Sequence, residues 1–464
     1  MQAEYRITLK SAVRPRTTSD LASLWLAVER AGAVNSATML SPPNRSALFM
    51  TQETASIIVI VGAGQAGGEL AAELRQLGHT GRIVLIGEED HLPYKRPPLS
   101  KGFLAGSMTV DQLFVRNQAS FERANIEFIG NARVTRIDRS TKTVELADGR
   151  RIGYDKLALT TGGRPRVLSL TGATKPNVFS LRVIADASLM QPLFVEGRNL
   201  VIIGGGYIGL EVAAVAIKKG LKVTVLEMAP RVLVRVTAPE VSTFYERVHR
   251  EAGVDLRTGV KIEALEGEAT VTAVLLADGS HVPVDFMIVG IGLIANTELA
   301  EAAGLAVDNG IVVDEYGHTS DPDIVAAGDC ANRPSAFLGQ RVRLESVQNA
   351  MDQARHAAHT LLGKPKHYDE LPWFWSDQYD LKLQMCGVST GYTELVLRGS
   401  TESRSFAAFY LRDGCLIAAD TVSRPQEFVI AKKLVAAHAR IAPELLRDET
   451  QPLKALLAPM APQA

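Results

Sequence analysis

Short unbroken apolar runs recur along most of the chain, at residues 57–61, 83–86, 157–159, 200–203 and 286–289. A run of this length without polar alternation predicts a strand buried on both faces, as in a parallel sheet covered by helices. The first run leads into Gly62-Ala-Gly64-Gln-Ala66-Gly67 and a predicted helix ending near Leu77, and the next strand closes at Gly87-Glu88. The same order returns later. Residues 200–203 lead into Gly204-Gly205-Gly206-Tyr207-Ile208-Gly209-Leu210-Glu211, an alanine-rich helix, and a strand ending at Glu227. Beyond Pro372 the texture changes to alternation, in Trp373-Phe-Trp375-Ser-Asp-Gln378 and in stretches near 381–385, 406–411 and 416–420. Alternation predicts antiparallel strands, with Asp413-Gly414 as a hairpin turn, and a helix is expected over 426–439.

Each strand, glycine turn, helix and acid-terminated strand carries a chemistry. The glycines let the backbone approach a pyrophosphate, and the helix N-terminus meets that anion with free N–H groups. An acid at the second strand's end can accept hydrogen bonds from a ribose hydroxyl. Two such units in one chain predict two bound dinucleotides. The run 311–331, through Gly328-Asp329-Cys330, reads as a return to the first unit, and a helix over 345–362 closes it. The expected organisation is a first dinucleotide domain split between 56–161 and 290–369, a second at 162–289, and an α+β domain at 370–464. Residues 1–55 show no strand ladder and are expected to form a poorly ordered extension, with Ser19-Asp20 capping a short helix to about Arg30.

At 464 residues the chain is long enough for about three domains. Its 46% apolar and 22% charged residues are those of a globular protein, and a net charge of −1 gives no argument for nucleic acid or an anionic membrane. No apolar run reaches the ~20 residues that span a bilayer. The three cysteines, Cys330, Cys386 and Cys415, contain no Cys-x-x-Cys pair, which excludes a redox dithiol or a zinc ribbon and fits the cytoplasm. No metal site is expected. In Leu92-Pro-Tyr-Lys-Arg-Pro97-Pro98-Leu99-Ser100-Lys101, two consecutive prolines stiffen a loop that can hold Ser100 and Lys101 at a site.

The two glycine fingerprints, Arg96-Pro-Pro-Leu-Ser-Lys101, Thr161-Gly162-Gly163, Gly328-Asp329 and Trp373-Phe-Trp375-Ser-Asp-Gln378 together resemble the FAD- and NADH-dependent ferredoxin reductases of bacterial oxygenase systems. The resemblance covers about residues 57–457. It implies an α/β fold with two Rossmann-like domains, for FAD and NAD, plus a C-terminal α+β domain, in a glutathione-reductase-like architecture. It implies FAD contacts at Gly62, Gly64, Ala66, Gly67, Glu88, Lys101, Val134, Arg182, Asp329, Val347 and Trp375. It implies NADH contacts at Gly204, Gly206, Tyr207, Ile208, Gly209, Glu227 and Gly292. Lys101 and Glu211 would be the catalytic pair, positioning the reacting rings. Ala295 departs from the proline that relatives often carry.

The implied activity is NADH-dependent reduction of a [2Fe–2S] ferredoxin that supplies a mono- or dioxygenase, by a monomer or weak dimer. Hydride brings two electrons and the ferredoxin takes one, so a flavin fits between them. Glu227 would repel the 2′-phosphate of NADPH. Arg355, Lys432, Lys433 and Lys454 are candidate docking residues for an acidic ferredoxin. Alternative readings are an NADH–rubredoxin reductase, a general NADH:acceptor flavoprotein, or a redox-controlled binding protein of the apoptosis-inducing-factor type.

Overall fold

The computed structural model describes residues 56–457; the expected helix at 19–30 and residues 1–55 lie outside the described residues. The strand Ile58–Val61 stands at the centre of a parallel sheet, flanked by Ile83–Ile86 on one side and Lys156–Leu159 on the other. Ile126–Ile129 and Ile324–Ala326 complete its edges. The helices Gln65–Gln76 and Val347–Leu361 cover one face through Leu70, Leu74, Ala354 and Ala357. A three-stranded antiparallel sheet, Val134–Asp138, Thr143–Leu146 and Arg151–Gly153, covers the other through Ile137 and Val144. Burial on both faces explains why the central strands read as unbroken apolar runs.

The second unit repeats the plan. Its parallel sheet is ordered Asp255–Thr258, Lys222–Glu227, Asn199–Ile203, Phe286–Val289, Val178–Phe179. The helices Tyr207–Lys218 and Pro239–Glu251 lie on one face and a second antiparallel triple, Ile262–Glu266, Ala273–Leu276 and His281–Pro283, on the other. The chain passes between the units along a ribbon in which Gly163–Pro165 pairs with Leu293–Ala295.

The third unit is an antiparallel five-stranded sheet. Its order is Trp373–Gln378, Leu381–Gly387, Cys415–Val422, Ser405–Arg412, Glu394–Ser400. Asp413 and Gly414 make the hairpin turn, both at positive φ. One face carries the helix Pro425–Ala436. The other packs Phe406 and Leu383 against Phe244 of the second unit.

Two helix boundaries differ from the sequence expectation. The helix expected from 345 begins at Val347, because Ser346 Oγ accepts the Asn349 N–H at 3.1 Å and makes Ser346 the cap. The helix expected to reach 439 ends at Ala436. There His438 takes a positive φ and the following segment turns back to bond Leu416.

Between the second and third units lies a buried acid. Asp420 Oδ2 accepts the Tyr410 hydroxyl at 2.5 Å, and Tyr410 Oη accepts the Ala238 N–H at 3.0 Å. Burial without a cationic partner pushes the Asp420 carboxyl up to about 7. Its folded pKa exceeds the unfolded one, so folding binds a proton at acid pH. That contribution is present below about pH 4 and is lost as pH rises through about 7. Asp420→Asn should therefore gain in melting temperature on the parent as pH rises across this window, with the difference level above it. Calorimetry over pH checks this, and a pH-independent difference refutes it.

Candidate functional site

Both glycine turns open onto one cavity of about 2020 Å³, bounded on a third side by Phe374 and Trp375 of the C-terminal sheet. Single-ligand pockets run to about 1,000 Å³, so this space suits two ligands meeting.

In the first turn Gly62 has φ +111, and a Cβ there would lie 2.3 Å from Thr160 O. A Cβ on Gly67 would lie 2.0 Å from Gly62 O. Packing within the chain therefore accounts for both. Gly64 is different: a Cβ there meets nothing, only the cavity. It caps the helix Gln65–Gln76 without a side-chain hydrogen bond, and the first turn holds no acid, so its N–H groups face open space. The second turn repeats this. A Cβ on Gly204 (φ +107) would lie 2.4 Å from Gly290 O, and one on Gly209 would lie 2.2 Å from Gly204 O. Gly206 again faces open space at an uncapped, acid-free helix start. The middle glycine of each turn is spared a side chain for something outside the chain, and two bare helix N-termini suit two pyrophosphates.

The two acids are not equivalent. Strand register sets Ile86 beside Val61 and Leu226 beside Ile203, each just before the first turn glycine. Glu227 follows directly on its strand partner, whereas Glu88 lies one residue further along. Glu227 Oε2 accepts the Gly205 N–H at 2.6 Å and Oε1 the Ala229 N–H at 2.7 Å, so it buttresses its own glycine turn. The Glu88 side chain is 70% exposed and meets Arg133 at 3.3 Å. Arg231 is turned inward, donating to Ser242 Oγ at 2.6 Å and Val234 O at 3.1 Å.

On the first side of the cavity, Ala66, Val134 and Val347 line the wall. Arg182 Nη2 pairs with Asp329 Oδ2 at 2.9 Å, while the buried Arg182 Nε has no partner within the chain. On the second side, Ile208 and Gly292 line the wall, and the Tyr207 ring packs tilted against Phe374 with centroids 4.7 Å apart. Pro97–Ser100 forms one turn of 3-10 helix that delivers Lys101.

The halves meet at Glu211, which is 4% exposed. Its Oε2 lies 2.7 Å from Lys101 Nζ and accepts the Ser100 hydroxyl at 2.5 Å. Its Oε1 accepts the Ser376 hydroxyl at 2.6 Å. The Lys101–Glu211 pair expected from the sequence is thus formed. Sequence reading missed Ser376, whose one signal was its place beside Trp375 in the distinctive aromatic run.

The docking candidates differ in their surroundings. Arg355, on the helix Val347–Leu361, is held by Glu69 at 2.7 Å. Lys432 lies over the Trp373 ring at 4.8 Å, and Lys433 and Lys454 are exposed. All three cysteines are free, and burial pushes the Cys330 thiol up. Among the described residues no helix is long and apolar enough to cross a membrane.

Two dinucleotide cradles facing one cavity, with no thiol pair, define an oxidoreductase of the two-dinucleotide class. The chain belongs to the pyridine nucleotide-disulphide oxidoreductase family, whose pattern matches residues 56–354, and a reductase C-terminal domain matches 373–457. It is 49% identical over 407 residues to putidaredoxin reductase CamA of Pseudomonas putida, covering 86% of this chain and 96% of that one. It is 44% identical over 404 residues to rhodocoxin reductase of Rhodococcus erythropolis, covering 86% and 94%. The covalent putidaredoxin reductase–putidaredoxin complex superposes with a TM-score of 0.85 at 48% identity, covering 87% of this chain and 98% of that one.

The turn glycines play two separable roles. Gly64→Val should fold with an unchanged melting temperature for the ligand-free protein yet fail to retain a dinucleotide. Gly62→Val should lose folded protein, because its Cβ meets backbone. Equal behaviour of the two variants in thermal melts and cofactor content would refute the assignment.

Proposed function

We propose that this chain is an FAD-dependent NADH:ferredoxin oxidoreductase that passes electrons to a [2Fe–2S] ferredoxin of a mono- or dioxygenase system. The observation that carries the reading is the buried Lys101–Glu211 pair at the junction of two dinucleotide cradles. The flavin, when bound, supplies the change from a two-electron hydride to single electrons. FAD belongs to 56–161 with 290–369, and NADH to 162–289. The C-terminal sheet, through Phe374 and Trp375, supplies the acceptor-facing wall.

Gly62, Gly64, Ala66 and Gly67 would form the turn that holds the FAD pyrophosphate, Gly64 leaving the open approach while Gly62 and Gly67 shape the turn, and Glu88 and Val134 would hold the adenosine end. Arg182, Asp329, Val347 and Trp375 would hold the ribityl chain and ring, and the buried Arg182 Nε, which has no partner within the chain, is a donor available to the cofactor. Gly204, Gly206, Tyr207, Ile208, Gly209 and Gly292 hold NADH. Glu227 accepts from the adenosine ribose through lone pairs left free by its two backbone donors. With Arg231 turned away, a 2′-phosphate at that place meets a carboxylate and no compensating guanidinium from Arg231.

The Lys101–Glu211 pair, which lines the cavity at the junction of the two cradles, would help orient the two rings there. The ammonium of Lys101, 22% exposed, places positive charge where negative charge develops on the reduced ring. Because Arg355 is tied to Glu69, Lys433 and Lys454 are the more open contacts for an acidic ferredoxin. Three free thiols fit a cytoplasmic setting.

Anaerobic mixing tests the reading. NADH should bleach the flavin rapidly and NADPH slowly, and cytochrome c reduction should require added [2Fe–2S] ferredoxin. Glu211→Gln should slow bleaching at saturating NADH by roughly tenfold or more, the effect of losing a charge-assisted contact. Ferredoxin-independent reduction of cytochrome c, or a preference for NADPH, would overturn the assignment.

A further inference from the structure

With the Lys101 ammonium at 2.7 Å, Glu211 is a carboxylate that offers only acceptors. That fixes the direction of each hydrogen bond behind it. Ser376 Oγ lies 2.6 Å from Glu211 Oε1, so its single proton points at the carboxylate and its oxygen accepts from the other side. Gln378 Nε2 donates to it at 3.2 Å. With its amide nitrogen turned to Ser376, Gln378 presents Oε1 to His249 Nε2 at 2.9 Å, and His249 must carry its proton there. His249 Nδ1 is then free to accept the Tyr379 hydroxyl at 3.0 Å.

The opposite tautomer of His249 would set two acceptors face to face. Turning the Gln378 amide over to relieve that would leave Ser376 between two acceptors with one proton. Four hydrogen bonds therefore run in a single direction, from Tyr379 through His249, Gln378 and Ser376 to Glu211. Ser376, Gln378 and His249 are buried. Desolvation lowers the His249 imidazole to about 4, so it stays neutral over the working range and the chain keeps its polarity. Aligned bonds in a dry interior reinforce one another, and here all their positive ends face Glu211.

We propose that Ser376, Gln378 and His249 are positioning residues for hydride transfer: their one-directional chain of hydrogen bonds holds the Glu211 side chain in place, and through it Lys101. This rests on the reading of the Lys101–Glu211 pair as the group that aligns the nicotinamide and flavin rings. The chain reaches the pair from the C-terminal sheet and from the helix Pro239–Glu251, neither of which carries a glycine turn.

Two measurements test it. Magnetic resonance of the holoprotein with nitrogen-labelled histidine, the His249 signal being assigned by its loss in His249→Gln, should show the Nε2–H tautomer. The Nδ1–H tautomer would overturn the proposal whatever any variant does. In rapid mixing, Ser376→Ala should slow flavin bleaching at saturating NADH roughly tenfold, with flavin content and the Kd for NADH unchanged. Parent-like bleaching in Ser376→Ala beside slow bleaching in Glu211→Gln would sink this proposal alone. Parent-like bleaching in Glu211→Gln would sink the reading of the pair itself.

Discussion

One buried carboxylate is shared by the three units of this protein. Taking Glu211 out of water costs several kcal/mol unless its lone pairs are occupied. Here they are occupied by Lys101 and Ser100 from the first unit and Ser376 from the third, while Glu211 itself belongs to the second. No single unit can satisfy it. Removing one partner would leave a charge stranded in a dry interior, at a cost near 3–5 kcal/mol for a broken buried pair. The geometry of the meeting point is therefore imposed by electrostatics as much as by packing. The stiff turn Pro97–Ser100 matters because it presents Ser100 and Lys101 to the same oxygen at once.

Around that point the chain solves one problem twice, with a difference. Both halves place a bare helix N-terminus at the end of a central strand and spare the middle glycine a side chain. The acids then diverge because they occupy different registers. Where the second half has Gly205, a carboxylate directly after the strand can reach its N–H, and Glu227 does. The first half has Ala63 at the matching position and Gly87 after the strand, and a Cβ on Gly87 would already stand 2.7 Å from Ala63 Cβ. An acid has no room there and appears one residue later, at Glu88, on the open side. Of the two acids, Glu227 is thus a structural member of its turn, while Glu88 is an exposed side chain that meets Arg133.

What could be read from the sequence was what is local. Strand, turn and helix of each half lie within thirty or so residues, and their period and glycines state them directly. The small antiparallel triples were less legible, since strands such as Arg151–Gly153 are three residues long and half exposed. The site was legible only in part. Lys101 and Glu211 stand in recognisable runs, but Ser100 and Ser376 meet Glu211 across 111 and 165 residues, and His249 meets Gln378 across 129. A single sequence carries no signal for a pairing of that span. A serine and a glutamine next to an aromatic run look like ordinary strand residues until the fold brings the carboxylate to them.

The strand Trp373–Gln378 shows why those residues belong where they are. Successive side chains of a strand point to opposite faces. Trp375 bounds the cavity, while its neighbour Ser376 turns to Glu211. The cavity wall and the support of the buried carboxylate are consequently one element, pinned in register to Leu381–Gly387 through six residue pairs. A shift of that strand that moved the tryptophan would also draw the serine off the carboxylate. The C-terminal sheet is for this reason not an appendage to the two dinucleotide units. It completes the first of them as a wall and the second as a hydrogen-bond donor, and its rigidity is what allows a buried charge to serve as the common reference for both.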